Sequence, residues 1–185
     1  MTRTILSLAL FFLLLRPAGA SGADIVGPDA RVVNGEVVVS ATLSLDEKNL
    51  TDLKNGISKE ITFYIDLFRL WKTWPDEFVA GKKIVKTLRS DPIKKEHVAT
   101  SLDGSTLIEK RFKGLDSMVN WALSIKNLKL ADVKELQQSD YFVRVTVESR
   151  LRKLPPVIGY LLFFVPENDF KVQKDSTVLP AGSEK

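Results

Sequence analysis

The chain has 185 residues, with 27 basic and 23 acidic side chains, one histidine and no cysteine. Lack of cysteine excludes disulfides, thiolate metal centres, cysteine nucleophiles and a lipid-modified N-terminal cysteine. The net charge of +4 is spread along the chain, without the concentrated basic face that nucleic acid requires.

The N-terminus reads as an export signal. Arg3 gives a positive start, Ile5 to Leu15 is a predominantly apolar stretch, and Ala18-Gly19-Ala20 offers small residues for cleavage. That stretch is too short to span a bilayer, which takes about 20 apolar residues. Cleavage is expected after Ala20, with Ala23 as second choice; a segment left uncleaved and held in the membrane is the alternative. The expected organisation is a signal peptide over 1–20, a flexible start over 21–30, a single β-rich domain over 31–180 and a polar tail over 181–185. The mature part has 25 basic and 23 acidic residues and is long enough to bury a core unaided.

Val37, Val39, Ala41, Leu43 and Leu45 alternate with Ser40, Thr42 and Ser44, which predicts a half-buried strand. Asn34-Gly35 before it favours a tight hairpin turn and a short partner strand around Val32-Val33. Asp46 is placed to cap a helix of about ten residues, with Leu45 and Leu50 as a hydrophobic staple and Gly56 as the stop. Ile61, Phe63, Ile65 and Leu67 then share one face of a strand whose other face carries Thr62, Tyr64, Asp66 and, near its end, Phe68. Lys82 to Arg89 reads as an edge strand whose lysines discourage pairing with another chain.

Within His97 to Phe112, Asp103-Gly104 lies between two weakly alternating arms and suggests a second hairpin. Leu115, Met118, Val119, Ala122 and Ile125 recur at helical spacing, with Asp116 as cap and Trp121 along the same stripe as a core residue. The clearest strand is Tyr141 to Leu151, with Val143, Val145 and Val147 facing a core and Arg144, Thr146, Glu148 and Arg150 facing water. After Leu154-Pro155-Pro156, the apolar run Val157 to Val165 reads as a buried strand or short core helix; a membrane-touching role for Tyr160, Phe163 and Phe164 is the alternative. A last strand is expected around Phe170 to Leu179. This succession predicts a mainly β chain: an antiparallel β-sandwich-like body with two or three short helices. The alternative is an α+β fold with the helices on one face of an antiparallel sheet.

Catalytic chemistry is hard to find in these residues. His97 is the single histidine, set among charges and read as an exposed strand residue, and no serine lies in a nucleophile elbow. No glycine-rich phosphate loop occurs. Carboxylates alone can hydrolyse glycosides, yet the neighbours Asp76 and Glu77 would point to opposite sides of an extended chain. Glu167-Asn168-Asp169 is the one cluster of calcium-ligand type and reads as a solvated turn. No catalytic, cofactor-binding or metal-binding residue is therefore expected.

The segment LFRLWKTWPDEF, residues 67–78, collects recognition-type side chains. Thr73 as cap, Pro75 in the first turn, Asp76 reaching back and Gly81 as stop fit a capped single helical turn. By parity Trp71 should lean toward the core edge. The competing reading makes Arg69, Trp71, Trp74 and Asp76 an exposed partner-binding patch, since tryptophan and arginine are enriched at interface hot spots.

In the stretches LKNGISKEITFYIDLFRLWKTWPDEFV, FKGLDSMVNWALSIKNL and SDYFVRVTVESRLRKLPPVI, the chain resembles a bacterial exported family known only as a domain of unknown function, number 4390 in that series. The resemblance rests on Leu53, Asn55, Gly56 and Ile57 opening a strand, on Trp74 with Asp76, on Tyr141 and on Leu154-Pro155, and spans Val37 to Leu179. Phe170 stands where that pattern carries a tryptophan. Members are often encoded beside a membrane histidine kinase of the nitrogen-regulation type, which implies an accessory or sensory role in the cell envelope. Together these readings favour an exported, periplasmic or extracytoplasmic, non-enzymatic binding module with an envelope or membrane protein as partner and no nucleic acid. A carboxylate-dependent hydrolase of envelope glycans is the alternative, and a holder of extended chains along edge strands is a third reading.

Overall fold

A computed structural model describes residues 22–151 and 168–180. The N-terminal segment read as an export signal, Leu154-Pro155-Pro156, the run Val157 to Val165, Glu167 and the tail after Pro180 lie outside the described residues. In chain order the elements are β1 (Asp24–Val33), β2 (Glu36–Ser44), α1 (Glu47–Lys54), β3 (Lys59–Arg69), β4 (Glu77–Asp91), β5 (Glu96–Asp103), β6 (Thr106–Phe112), α2 (Leu115–Ala122), β7 (Ser124–Asp132), a 3-10 turn (Val133–Glu135), β8 (Tyr141–Leu151) and β9 (Asn168–Asp175).

Period-two alternation builds the larger sheet, ordered β6-β5-β4-β3-β8-β9 and antiparallel throughout. Phe63 of β3 lies opposite Ile84 of β4 and Val147 of β8, while Ile65 and Leu67 lie opposite Val145 and Val143. All of these are buried. Each such side chain contributes about 1.5–3 kcal/mol on leaving water. The smaller sheet, β1-β2-β7, adds Ile25, Val37, Val39, Ala41, Leu43 and Ile125 to the same core. The sheets meet through β1 against β8 and β9 and through β7 against β4, and α2 extends the cover over β4, β5 and β6 with Met118 and Ala122. The result is the expected mainly β, sandwich-like body with two short α-helices among the described residues.

Local signals account for the turns. Asn34 and Gly35 both have positive φ (53° and 75°), as a two-residue hairpin loop demands, and join Val33 to Glu36. The Asp46 carboxylate accepts from the Asn49 backbone N–H at 2.8 Å and caps α1. At its other end Gly56 has φ +87°; its N–H donates to the Leu53 carbonyl and that of Ile57 to the Asp52 carbonyl, which closes the helix with a left-handed cap. Gly104 has φ +56° and opens the β5–β6 turn.

Several expectations are corrected by partners distant in sequence. Residues 21–30, expected as a flexible start, contribute to a strand: Asp24–Val33 pairs with β2, and Ala23 and Ile25 are buried. Lys82 to Arg89 belongs to a strand lying between β3 and β5, so it is no edge. Helix α2 ends at Ala122 with Gly114 as its N-cap, and Ile125 belongs to β7, paired with Ala41. On β8 the polar face is not simply wet, because Thr146 and Glu148 are buried between flanking strands. His97 is half-buried, its Nδ1 3.0 Å from the Ser90 hydroxyl. Asp169 occupies β9 rather than a solvated turn, and its carboxylate is tied to Lys59.

Lys59 sits on the core face of β3 with 1% of its surface exposed. Its Nζ donates to Asn49 Oδ1 at 2.7 Å, Asp52 Oδ2 at 2.8 Å and Asp169 Oδ2 at 2.5 Å, so one ammonium joins α1, β3 and β9. Burial works against its charge, but the hydrogen bonds to Asp169 and Asp52, with their negative charges, outweigh it and raise its pKa.

Candidate functional site

β3 and β4 are joined at one end of the larger sheet by residues 70–76. Register there sets Phe68 beside Phe78 of β4 and Phe142 of β8, on the face turned away from the core. The Phe68 and Phe142 rings stack 5.5 Å apart, and Phe78 meets Phe68 edge-on at 6.0 Å. Phe142 is buried beneath this cluster while Phe78 stays 58% exposed.

Arg69 has the opposite parity and closes the inner side of the same end. Its guanidinium donates to the Gln137 side chain and to Glu77, and lies 4.6 Å from the centre of the Trp71 ring. Trp71 Nε1 also donates to Glu77 Oε2 at 3.2 Å. The Arg69 and Trp71 hydrogen bonds hold the Glu77 carboxyl below the ordinary glutamate range. Trp71 is therefore fixed by its neighbours although 46% exposed, and Trp74 projects from the loop 74% exposed.

The expected helical turn over residues 73–81 does not form. β4 begins at Glu77 and continues through Gly81, because its backbone completes the ladder with β3 from Arg69↔Glu77 onward. A run of cross-strand hydrogen bonds outweighs one cap. Asp76, read as a capping carboxylate, instead approaches the Trp71 backbone N–H at 3.5 Å. Trp71 does not seal the core edge; its ring covers Arg69.

On the outer face Arg144 of β8 extends the site. Its Nε and Nη2 donate to the two carboxylate oxygens of Asp175, each at 2.8 Å, and its guanidinium lies 5.0 Å from the Phe68 ring and 5.2 Å from the Phe142 ring. Asp66 is half-buried beside it; burial raises its carboxyl above the ordinary range, partly offset by Arg144. A side chain at Gly81 would collide with the Asp66 carboxylate, so glycine there makes room for it. Asp76 adds negative charge near Arg144.

The structure thus brings Arg69, Trp71, Trp74 and Asp76 to one end of the sheet. Phe78, Phe142, Arg144 and Gln137 were not foreseen as part of it. The apolar Phe142, out of step with the polar alternation of its strand, was the one local hint. Apolar rings with fixed cations and anions at the rim suit recognition of a protein surface. Among the described residues no group of three or more His, Asp and Glu side chains is placed to hold a metal ion, and no helix is long and apolar enough to cross a membrane.

No match to this chain was found among curated proteins or among solved structures. The family model described as Domain of unknown function (DUF4390) matches residues 20–177, a span that includes both sheets and the aromatic end just described. By that match the chain belongs to the DUF4390 family.

Proposed function

We propose that this chain is an exported, non-enzymatic binding or accessory module of the cell envelope, and that it engages a protein partner through the aromatic end of its larger sheet. The observation that supports this reading is the exposure of Trp71, Trp74 and Phe78 at one end of the sheet, with Trp71 held against an anchored Arg69. Large apolar side chains gathered on a surface mark interaction sites. The stacked Phe68–Phe142 pair and the Glu77 and Gln137 contacts to Arg69 fix much of this surface before binding, which lowers the ordering cost. The genomic association of the resembling family suggests a membrane sensor kinase as the partner.

Affinity capture from native membranes tests this, with the wild-type chain and a Trp71→Ala/Trp74→Ala variant run side by side. Recovery of a sensor kinase by the wild type and its loss with the variant supports the proposal. Equal recovery by both, or repeated failure to enrich a kinase, defeats it. The alternative of a carboxylate-dependent glycan hydrolase draws on Asp66, whose carboxyl burial raises above the ordinary range, and on Asp76, since both act on Arg144. Release of soluble sugars from envelope glycans, abolished by Asp66→Asn, would favour that reading instead.

A further inference from the structure

The inner face of the larger sheet buries two lysines and treats them differently. Lys59 receives three acceptors. Lys86 of β4 is 6% exposed and, among the described residues, has no ion pair or side-chain hydrogen bond. Its Nζ lies 4.6 Å from the centre of the Trp121 ring of α2, and Nζ of Lys110 on β6 lies 5.1 Å from the same centre. Two ammonium groups thus share one indole. Burial and the charge of Lys110 both lower the Lys86 pKa.

Among the described residues the surroundings supply no counter-charge. Lys86 stands between Ile61 of β3 and Ser101 of β5, Lys110 is opposite Ala99, and Phe112 packs on Trp121 at 5.7 Å. Asp103, the next core-facing position on β5 after Ser101, forms no ion pair with either lysine, and Glu109 on the other face of β6 lies 3.9 Å from Arg111. An indole face returns only part of what a buried ammonium loses on leaving water. A bound anion would offset the charge that Lys86 and Lys110 place around one ring. Lys110 lies on β6, an edge strand exposed along most of its length, so this side is open to an incoming ligand.

We propose that Lys86, Lys110 and Trp121 form a binding site for an oxyanion, a phosphate or carboxylate group carried by a small solute or a lipid headgroup. This site is separate from the aromatic end and does not depend on its role. The test is NMR of the lysine side-chain Cε–Hε resonances in the mature chain, titrated with inorganic phosphate against chloride at constant ionic strength. The Lys86 resonance is assigned by its absence in Lys86→Met, which replaces the ammonium with an uncharged side chain. The expected result is a saturable shift of that resonance, with affinity at least about tenfold weaker in the surface variant Lys110→Glu, corresponding to about 1.4 kcal/mol. If Lys86→Met fails to fold, selective broadening by a spin label on β6 assigns the resonance and Lys110→Glu carries the test. Phosphatidylcholine vesicles with and without phosphatidylglycerol separate the sources: binding that needs the anionic lipid and is lost in Lys110→Glu assigns a headgroup, and a response to free phosphate alone assigns a solute. No saturable shift with either probe, or equal affinity in wild type and Lys110→Glu, overturns the proposal.

Discussion

Exchanging Lys59 for Met and Asp169 for Asn, singly and together, probes the buried connection between α1, β3 and β9. Removing one partner of a buried ion pair costs about 3–5 kcal/mol. Lys59→Met should cost about 3 kcal/mol, because Asp169 is then left with Lys48 at 3.5 Å, a largely exposed cation worth little. Asp169→Asn should cost less, about 2 kcal/mol, since Asn49 and Asp52 still hold the ammonium at 2.7 and 2.8 Å. The double variant removes both charges and should cost about 1–2 kcal/mol less than the sum of the two. Urea unfolding followed by far-UV circular dichroism reads these values, with an unchanged denaturant slope as the check that only stability moved.

The pH dependence of the same pair has a definite sign. The folded pKa of Lys59 is raised above its ordinary 10.5, so its contribution is complete below the unfolded pKa and is lost as pH rises through the folded one. The Asp169 carboxyl is pulled upward by burial but more strongly downward by Lys59, and ends below its ordinary 3.8. Its contribution is present above the unfolded pKa and disappears as pH falls through the folded value. The difference between wild type and Lys59→Met should therefore be flat from about pH 5 to 10 and shrink outside that window. A coupling energy below about 0.5 kcal/mol, or a difference that varies steadily between pH 6 and 8, would refute the reasoning.

Trp74→Ala should leave the urea midpoint nearly unchanged, within the equivalent of about 0.5 kcal/mol, since the ring is mostly exposed. Partner capture should fall about thirtyfold, the loss of one hot-spot side chain of about 2 kcal/mol. Gly56→Ala forces a Cβ onto a residue at φ +87° and 3.2 Å from Pro92 Cδ, and should cost about 1–2 kcal/mol in the same unfolding assay. Asp66→Asn should stabilise the fold at pH 7, because a carboxyl with a raised folded pKa opposes folding once ionised; the gain should vanish below pH 3, where both states of the wild type are protonated.

Alternation was the most informative signal in the chain, and it worked where one face meets the core along a whole strand. Ile61 to Leu67 and Val143 to Val147 keep their apolar residues in step because each must enter the same buried layer. Asn34-Gly35 and Gly56 were legible for a different reason, since their backbone conformations are ones that few other residues adopt. Lys82 to Arg89 misled because its cations look suited to an edge. In the fold Lys83 and Lys86 lie over the rings of Tyr64 and Trp121, partners that no local pattern reveals.

The candidate site divides in the same way. Composition alone marked Arg69, Trp71, Trp74 and Asp76 as a group worth attention, and their closeness in sequence kept them together. Whether the segment became a capped turn or a strand end was decided by β3, whose free backbone groups claim Glu77 to Ala80 through the ladder. That choice exposed the tryptophans and drew in Phe142 and Arg144 from a strand more than sixty residues away.

By itself, then, the sequence determined the β-rich class, the main core-facing strands, the hairpin and helix stops and the absence of thiol chemistry, because each depends on residue type or on spacing within a few positions. Only the tertiary structure decided which strands are interior, that Asp24–Val33 is paired, that Lys59 finds Asp169 across 110 positions, and that Lys86 finds no acid among the described residues. These are properties of register and sheet order, and the pairing that fixes them is made between segments that carry no information about one another locally.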